Sequence, residues 1–118
     1  MANQKQNLDE HNAKAVVLNF IKALNAGDFE FAKEQLANDM HFKGVMGERT
    51  GAEAYIADMQ KMKFKYDIKK AFADGADVCI WYDIDMGGKT ILCSGWYKIE
   101  DEKIKSFEVI FDPRPLIQ

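Results

Sequence analysis

The chain has 118 residues, 47% of them hydrophobic and 30% charged, which suits one soluble domain with a single core and a modest cavity. A formal charge of -3, with lysines spread along the chain, excludes a basic nucleic-acid-binding face. No apolar run approaches the roughly 18 residues of a membrane span, so no membrane partner is expected.

The polar opening "MANQKQNLDEHN" lacks the hydrophobic stretch of a signal peptide. Residues 1–10 read as a loosely ordered arm, and the cytoplasm is the expected compartment. In "HNAKAVVLNFIKALNAGD", Ala13, Val16, Val17, Phe20, Ile21 and Leu24 recur at the three-and-four spacing of one helical face. Gly27 supplies a left-handed stop, and Asp28 caps a second, shorter helix, "FEFAKEQLA", with Phe29, Ala32 and Leu36 inward. "MHFKGVM" reads as a short strand. The stretch from Thr50 to Glu53 has the form of a capping box. It opens a third helix through about Met62, with Tyr55, Ile56, Met59 and Met62 as its apolar side.

From Lys63 the period changes to two: Phe64, Tyr66 and Ile68 alternate with Lys65, Asp67 and Lys69. The turn "ADGAD" leads into "VCIWYDIDM", then Gly87-Gly88, "KTILCSGWYKI", the turn "EDE" and "KIKSFEVIFDP". Helices followed by a long meander predict an α+β fold, one domain over residues 1–118, with helices covering one face of a curved antiparallel sheet.

Gly87 and Gly88 suit a two-residue hairpin turn, which pairs Met86 with Lys89. Ile80, Tyr82 and Ile84 then share a face with Gly95, Cys93 and Ile91, followed by Tyr97 and Ile99. That face is the more apolar and is assigned to the core. Cys79, Trp81, Asp83 and Asp85 fall outside, against Trp96, Ser94, Leu92 and Thr90. A one-residue bulge between these strands would reverse part of the assignment. Asp83 and Asp85 are thus expected in water, offset by lysines such as Lys65 and Lys69, rather than as an acid–base pair or cation site. Trp81 and Trp96, side by side outside, predict a homodimer packed through the outer sheet face. Cys79 and Cys93 lack CxxC spacing and a histidine at ligand spacing. They read as buried, reduced thiols, and no metal or cofactor is expected.

These elements resemble the nuclear-transport-factor-2-like (NTF2-like) superfamily, including its SnoaL-like branch. "FIKALNAGDFEFAKEQLANDMHF" resembles the family's first two helices and the approach to its first strand. "GERTGAEAYIADM" resembles its loop and third helix, and "EDEKIKSFEVIFDP" its closing hairpin and last strand. The resemblance covers roughly residues 12 to 115. It implies a cone-shaped sheet wrapped by three N-terminal helices (a cystatin-like roll) around a pocket, usually dimeric through the sheet. Members include ketosteroid isomerase, polyketide cyclases, dehydratases, epoxide hydrolases and binding proteins without chemistry, so the fold does not select an activity. The isomerase's roles map poorly: its helical tyrosine falls on Phe20, its general base near Gly44 and its second acid on Tyr97. That activity is not expected.

The inner face carries Tyr66, Tyr82, Tyr97 and Cys93 amid Phe20, Met59, Met62, Phe107, Val109 and Phe111, an expected apolar cavity for a small hydrophobic or aromatic molecule. Tyr97 is placed to donate a hydrogen bond to a carbonyl or developing oxyanion. An enzymatic alternative uses Tyr97 or Tyr82 as donor and Asp58 or His41 as base on a carbonyl or polyketide-like substrate. His41 is expected to face outward because Met40, Phe42 and Gly44 point in, and Asp58 is expected to reach the pocket mouth. Glu108, between Phe107 and Val109, should also face out. A third reading is an interaction domain that works by dimerisation alone.

Overall fold

The computed structural model describes residues 2–117, with side chains from residue 12 onward. Helix α1 spans Ala2–Ala26, so the arm expected over residues 1–10 concerns side chains outside the described residues. Ala13, Val17, Phe20, Ile21 and Leu24 of its apolar face are all buried. At its end the Asp28 N–H reaches the Ala23 carbonyl (2.9 Å) and the Gly27 N–H that of Leu24 (3.2 Å), a Schellman closure with Gly27 at φ 75°. Asp28 Oδ1 then accepts from the Phe31 N–H at 3.2 Å, starting α2 (Phe29–Glu34).

The expected short strand is longer, β1 (Leu36–Gly44), and turns through Val45 and Met46 into an unexpected strand β2 (Gly47–Thr50). Helix α3 spans Ala52–Met62. The capping box is not formed: Gly51 at φ 98° is the N-cap, and no side chain caps the helix. Thr50 ends β2 instead, and its hydroxyl is taken by His41 Nδ1 at 2.9 Å. Strands β3 (Lys65–Asp74), β4 (Asp77–Asp85), β5 (Thr90–Glu100) and β6 (Lys103–Phe111) form the meander, followed by a short helix α4 (Arg114–Ile117).

The six strands form one sheet in the order β2-β1-β6-β5-β4-β3. The meander is antiparallel, as expected, but β1 joins β6 in parallel. Strands β4 and β5 pair without a slip from Asp77↔Lys98 to Asp85↔Thr90, so the hairpin register read from the two glycines holds. The slips lie in β3, after Ile68, between β5 and β6, beyond Lys98, and between β1 and β6, from Leu36 to His41. The extra residue in β3 turns Ala71 and Ala73 toward Ile80 and Val78 and sends Phe72 outward, 57% exposed. At the start of this edge strand the Asn25 side chain mimics a neighbouring strand. Its Oδ1 accepts from the Tyr66 N–H and its Nδ2 donates to the Tyr66 carbonyl, both at 2.8 Å. The end of α1 is thereby fastened to the rim of the cone. Among the described residues no helix is long and apolar enough to cross a membrane.

Candidate functional site

Between the concave face of the sheet and helices α1 and α3 lies a cavity of about 390 Å³. Phe20, Met59, Met62, Tyr66, Tyr82, Cys93, Tyr97, Phe107, Val109 and Phe111 all line it, contributed by two helices and four strands. The volume falls within the range of small-molecule sites, roughly 300–1,000 Å³. Phe42, Tyr55, Met86 and Leu116 line it too and were not among the residues expected there. Tyr55 carried the signal, since its place on the apolar side of α3 aims it at the sheet.

Alternation along the strands explains why the polar groups inside are almost all phenols. Tyr82 and Tyr97 occupy inward positions of β4 and β5 and are buried, 2% and 1% exposed. Tyr97 stacks on Phe107, ring centroids 4.6 Å apart and planes 7° from parallel, and Phe107 meets Phe20, Phe42 and Tyr55 edge-on or tilted. Gly95, two residues before Tyr97 on the same face, makes room for that ring. A Cβ there would lie 2.8 Å from Tyr97 Cε1. All four tyrosines of the chain, Tyr55, Tyr66, Tyr82 and Tyr97, line the cavity. The Tyr66 hydroxyl reaches Met59 Sδ at 3.6 Å. The hydroxyls of Tyr55, Tyr82 and Tyr97 have no hydrogen-bond partner among the described residues, and none is sealed away from the cavity space. Each is a donor facing whatever occupies that space.

Burial in apolar surroundings pushes all four phenols above their ordinary pKa, because the phenolate would be poorly solvated there. The Cys93 thiol rises to about 11, chiefly through burial and secondarily through the negative charge of Asp83. Neither a phenolate nor a thiolate is available at neutral pH, and the phenols act as neutral hydrogen-bond donors.

Charge is confined to the mouth. Asp58, on α3, lines it as expected, but both its oxygens are held by Arg49 of β2, from Nε at 2.7 Å and Nη2 at 2.9 Å. Those hydrogen bonds pull the Asp58 carboxyl below its usual pKa, the opposite of what a general base near neutrality needs. Arg49 was missed because the stretch around it reads as a loop. The glycines bracketing Val45-Met46 were the hint of a hairpin that turns its side chain to the mouth. His41 faces outward as expected, its ring nitrogens bonded to Thr50 Oγ1 at 2.9 Å and Glu48 Oε1 at 2.8 Å, and it does not line the cavity. The apolar part of the rim is flexible and polarizable: Met46, Met59, Met62 and Met86 are four of the chain's six methionines.

The opposite face of the sheet is plain by comparison. Asp83 lies 3.4 Å from Lys69, and Asp85 Oδ1 accepts from the Gly88 N–H at 2.9 Å, fixing the hairpin turn. Lys65 does not offset them; its ammonium donates to the Asn25 carbonyl at 2.7 Å. Among the described residues no group of three or more potential ligands could hold a metal ion. Trp81 and Trp96 are 45% and 48% exposed. The Trp96 indole donates to Asp77 at 3.1 Å and is covered by the Lys98 ammonium, 4.7 Å from the ring centroid. Both cysteines are free; Cys93 is buried, whereas Cys79, facing outward, is only part-buried.

Residues 17–107 match the family of SnoaL-like domains. No curated protein matches the chain. Among solved structures, an NTF2-like protein of unknown function from Cytophaga hutchinsonii is 51% identical, with a TM-score of 0.88 over 90% of this chain and 95% of that one. A candidate ketosteroid isomerase from Kribbella flavida is 16% identical, with a TM-score of 0.82 over 88% of this chain and 80% of its own. An epoxide hydrolase of the LEH-like type from M. tuberculosis is 21% identical, with a TM-score of 0.80 over 92% and 88%. The last two likenesses speak for the fold alone.

Proposed function

The chain belongs to the SnoaL-like domain family and has its NTF2-like fold, and from that premise we propose that its cavity receives a small, largely apolar or aromatic molecule. The observation that carries this reading is the pairing of an apolar cavity of about 390 Å³ with phenol hydroxyls that have no partner among the described residues. Burial of aromatic and aliphatic surface supplies the affinity, and the hydroxyls supply orientation by donating to a carbonyl or similar acceptor. Acid–base catalysis is the weaker reading. Of the two bases considered, Asp58 is spent on Arg49 and His41 lies outside the cavity. The unfilled volume also speaks against a domain that works by dimerisation alone.

The test is a thermal-shift screen of small aromatic carbonyl compounds, followed by calorimetric titration of the best hit against the native protein and Tyr97→Phe. That change keeps the ring and deletes one neutral hydrogen bond, a loss of roughly 0.5–1.5 kcal/mol, so affinity should fall severalfold. Equal affinities would reduce Tyr97 to packing. A screen in which nothing shifts the melting temperature would remove the ligand reading.

The outer face is proposed as a homodimer interface. Trp81, Trp96, Leu92, Ile110 and Phe72 are all exposed on β3–β6. A stable dimer needs about 800 Å² from each partner, more than two indoles provide, so the whole row must take part.

A further inference from the structure

We infer that the molecule received by the cavity carries a carboxylate, and that Arg49 binds it at the mouth while the apolar body lies within. This rests on the reading of the cavity as a ligand site and adds the class of ligand. Arg49, Asp58 and Glu48 are the charged residues lining the cavity, and Arg49 is the cation among them. Both acids already have partners: Glu48 bonds His41 Nε2 at 2.8 Å, and Asp58 accepts from Arg49 through both oxygens. A guanidinium carries five N–H groups in a planar fork. Asp58 engages two of them, from Nε and Nη2, and the others make no bond to a described residue. The fork therefore keeps a free edge suited to a second planar anion.

Position fits the same ligand. The Arg49 side chain is 48% exposed, so an anion held there stays partly hydrated and avoids the cost of burying a lone charge. Deeper in, the phenols offer neutral donors without a compensating cation, which suits an uncharged body. An amphipathic acid divides along these lines, head at the rim and body inside. Asp58 holds the guanidinium across the mouth and at the same time competes with the ligand's carboxylate for its charge.

The experiment uses three probes that share one aromatic body: 2-naphthoate, 2-naphthamide and 2-naphthylmethylammonium, titrated calorimetrically at neutral pH. Naphthoate should bind the native protein about tenfold more tightly than the amide. In Arg49→Gln the ratio should fall to near one. In Asp58→Asn, which leaves the guanidinium without its competing anion, the ratio should rise severalfold. Equal binding of acid and amide overturns the carboxylate inference while leaving the cavity reading intact. So does tightest binding of the ammonium probe, or an acid preference that survives in Arg49→Gln. If Arg49→Gln does not fold, the Asp58→Asn arm decides alone, because a ratio that falls there contradicts the account. If none of the three probes binds, both the inference and the cavity reading fall.

Discussion

Strand β4 presents two chemistries on its two faces. Ile80, Tyr82 and Ile84 point into the cone and are buried, while Trp81, Asp83 and Asp85 alternate with them on the outside. The side chains are neighbours in sequence and differ only in parity. The inner tyrosine meets an apolar cavity where its hydroxyl stays protonated. Of the outer carboxylates, Asp83 meets Lys69 and Asp85 holds the Gly88 N–H of the hairpin turn. Residues that look like chemistry in a sequence are quiet when a solvated face receives them. A phenol that looks like packing becomes a donor when the cavity receives it.

That contrast can be broken by substitutions on the two faces. The largest effect belongs to Phe107→Ala, which removes a ring packed against Tyr97, Phe42, Tyr55 and Phe20. It should cost about 3–5 kcal/mol in denaturant unfolding, and a cost below about 1 kcal/mol would mean that the aromatic wall is loose. Next comes Gly95→Ala. Its new methyl would lie 2.8 Å from the Tyr97 ring, which is clamped on Phe107, so we expect a loss of about 1–3 kcal/mol and weaker binding of any ligand that Tyr97 orients.

Substitutions outside should leave the fold nearly untouched. Trp81→Glu should convert a dimer to a monomer by light scattering with little change in the protomer's circular dichroism. A native monomer at micromolar concentration, or a dimeric variant, would remove the interface proposal. The smallest effect is expected for Asp83→Asn with Asp85→Asn, within about 0.5 kcal/mol and without change in ligand affinity. The side-chain amide placed at position 85 keeps an oxygen for the Gly88 N–H, so the turn should survive.

Much of this was legible in the sequence. Two glycines fixed the register of β4 on β5, and parity then assigned every side chain of the hairpin to its face. The end of α1 and the start of α2 followed from Gly27 and Asp28, local devices that act within a few residues, whereas α2 stops at Glu34, short of the Ala37 expected, because Leu36 and Ala37 enter β1. What escaped were features set by distant partners. Thr50 has the form of a helix cap, yet His41, across a strand pair, competes for its hydroxyl. Nothing local marks Asn25 as a clamp for Tyr66, 41 residues away. Arg49 was hidden because β2 is a strand only by virtue of pairing with β1. The bulge after Ile68, which exposes Phe72, also has no signature in the alternation that precedes it.

The most direct test of the inner face is a spectrophotometric titration of the native protein, because all four tyrosines line the one cavity. Their folded pKa values are raised above the unfolded value near 10, and that of Cys93 rises from 9 to about 11. Above these unfolded values the unfolded chain binds fewer protons than the native one, so the stability these groups contribute is complete at neutral pH and is lost as the pH climbs. Phenolate absorbance near 295 nm should therefore stay flat through pH 10 and rise only together with alkaline unfolding followed by circular dichroism. A tyrosine that ionises near pH 10 while the protein is still folded would place a phenol in solvent and contradict the account.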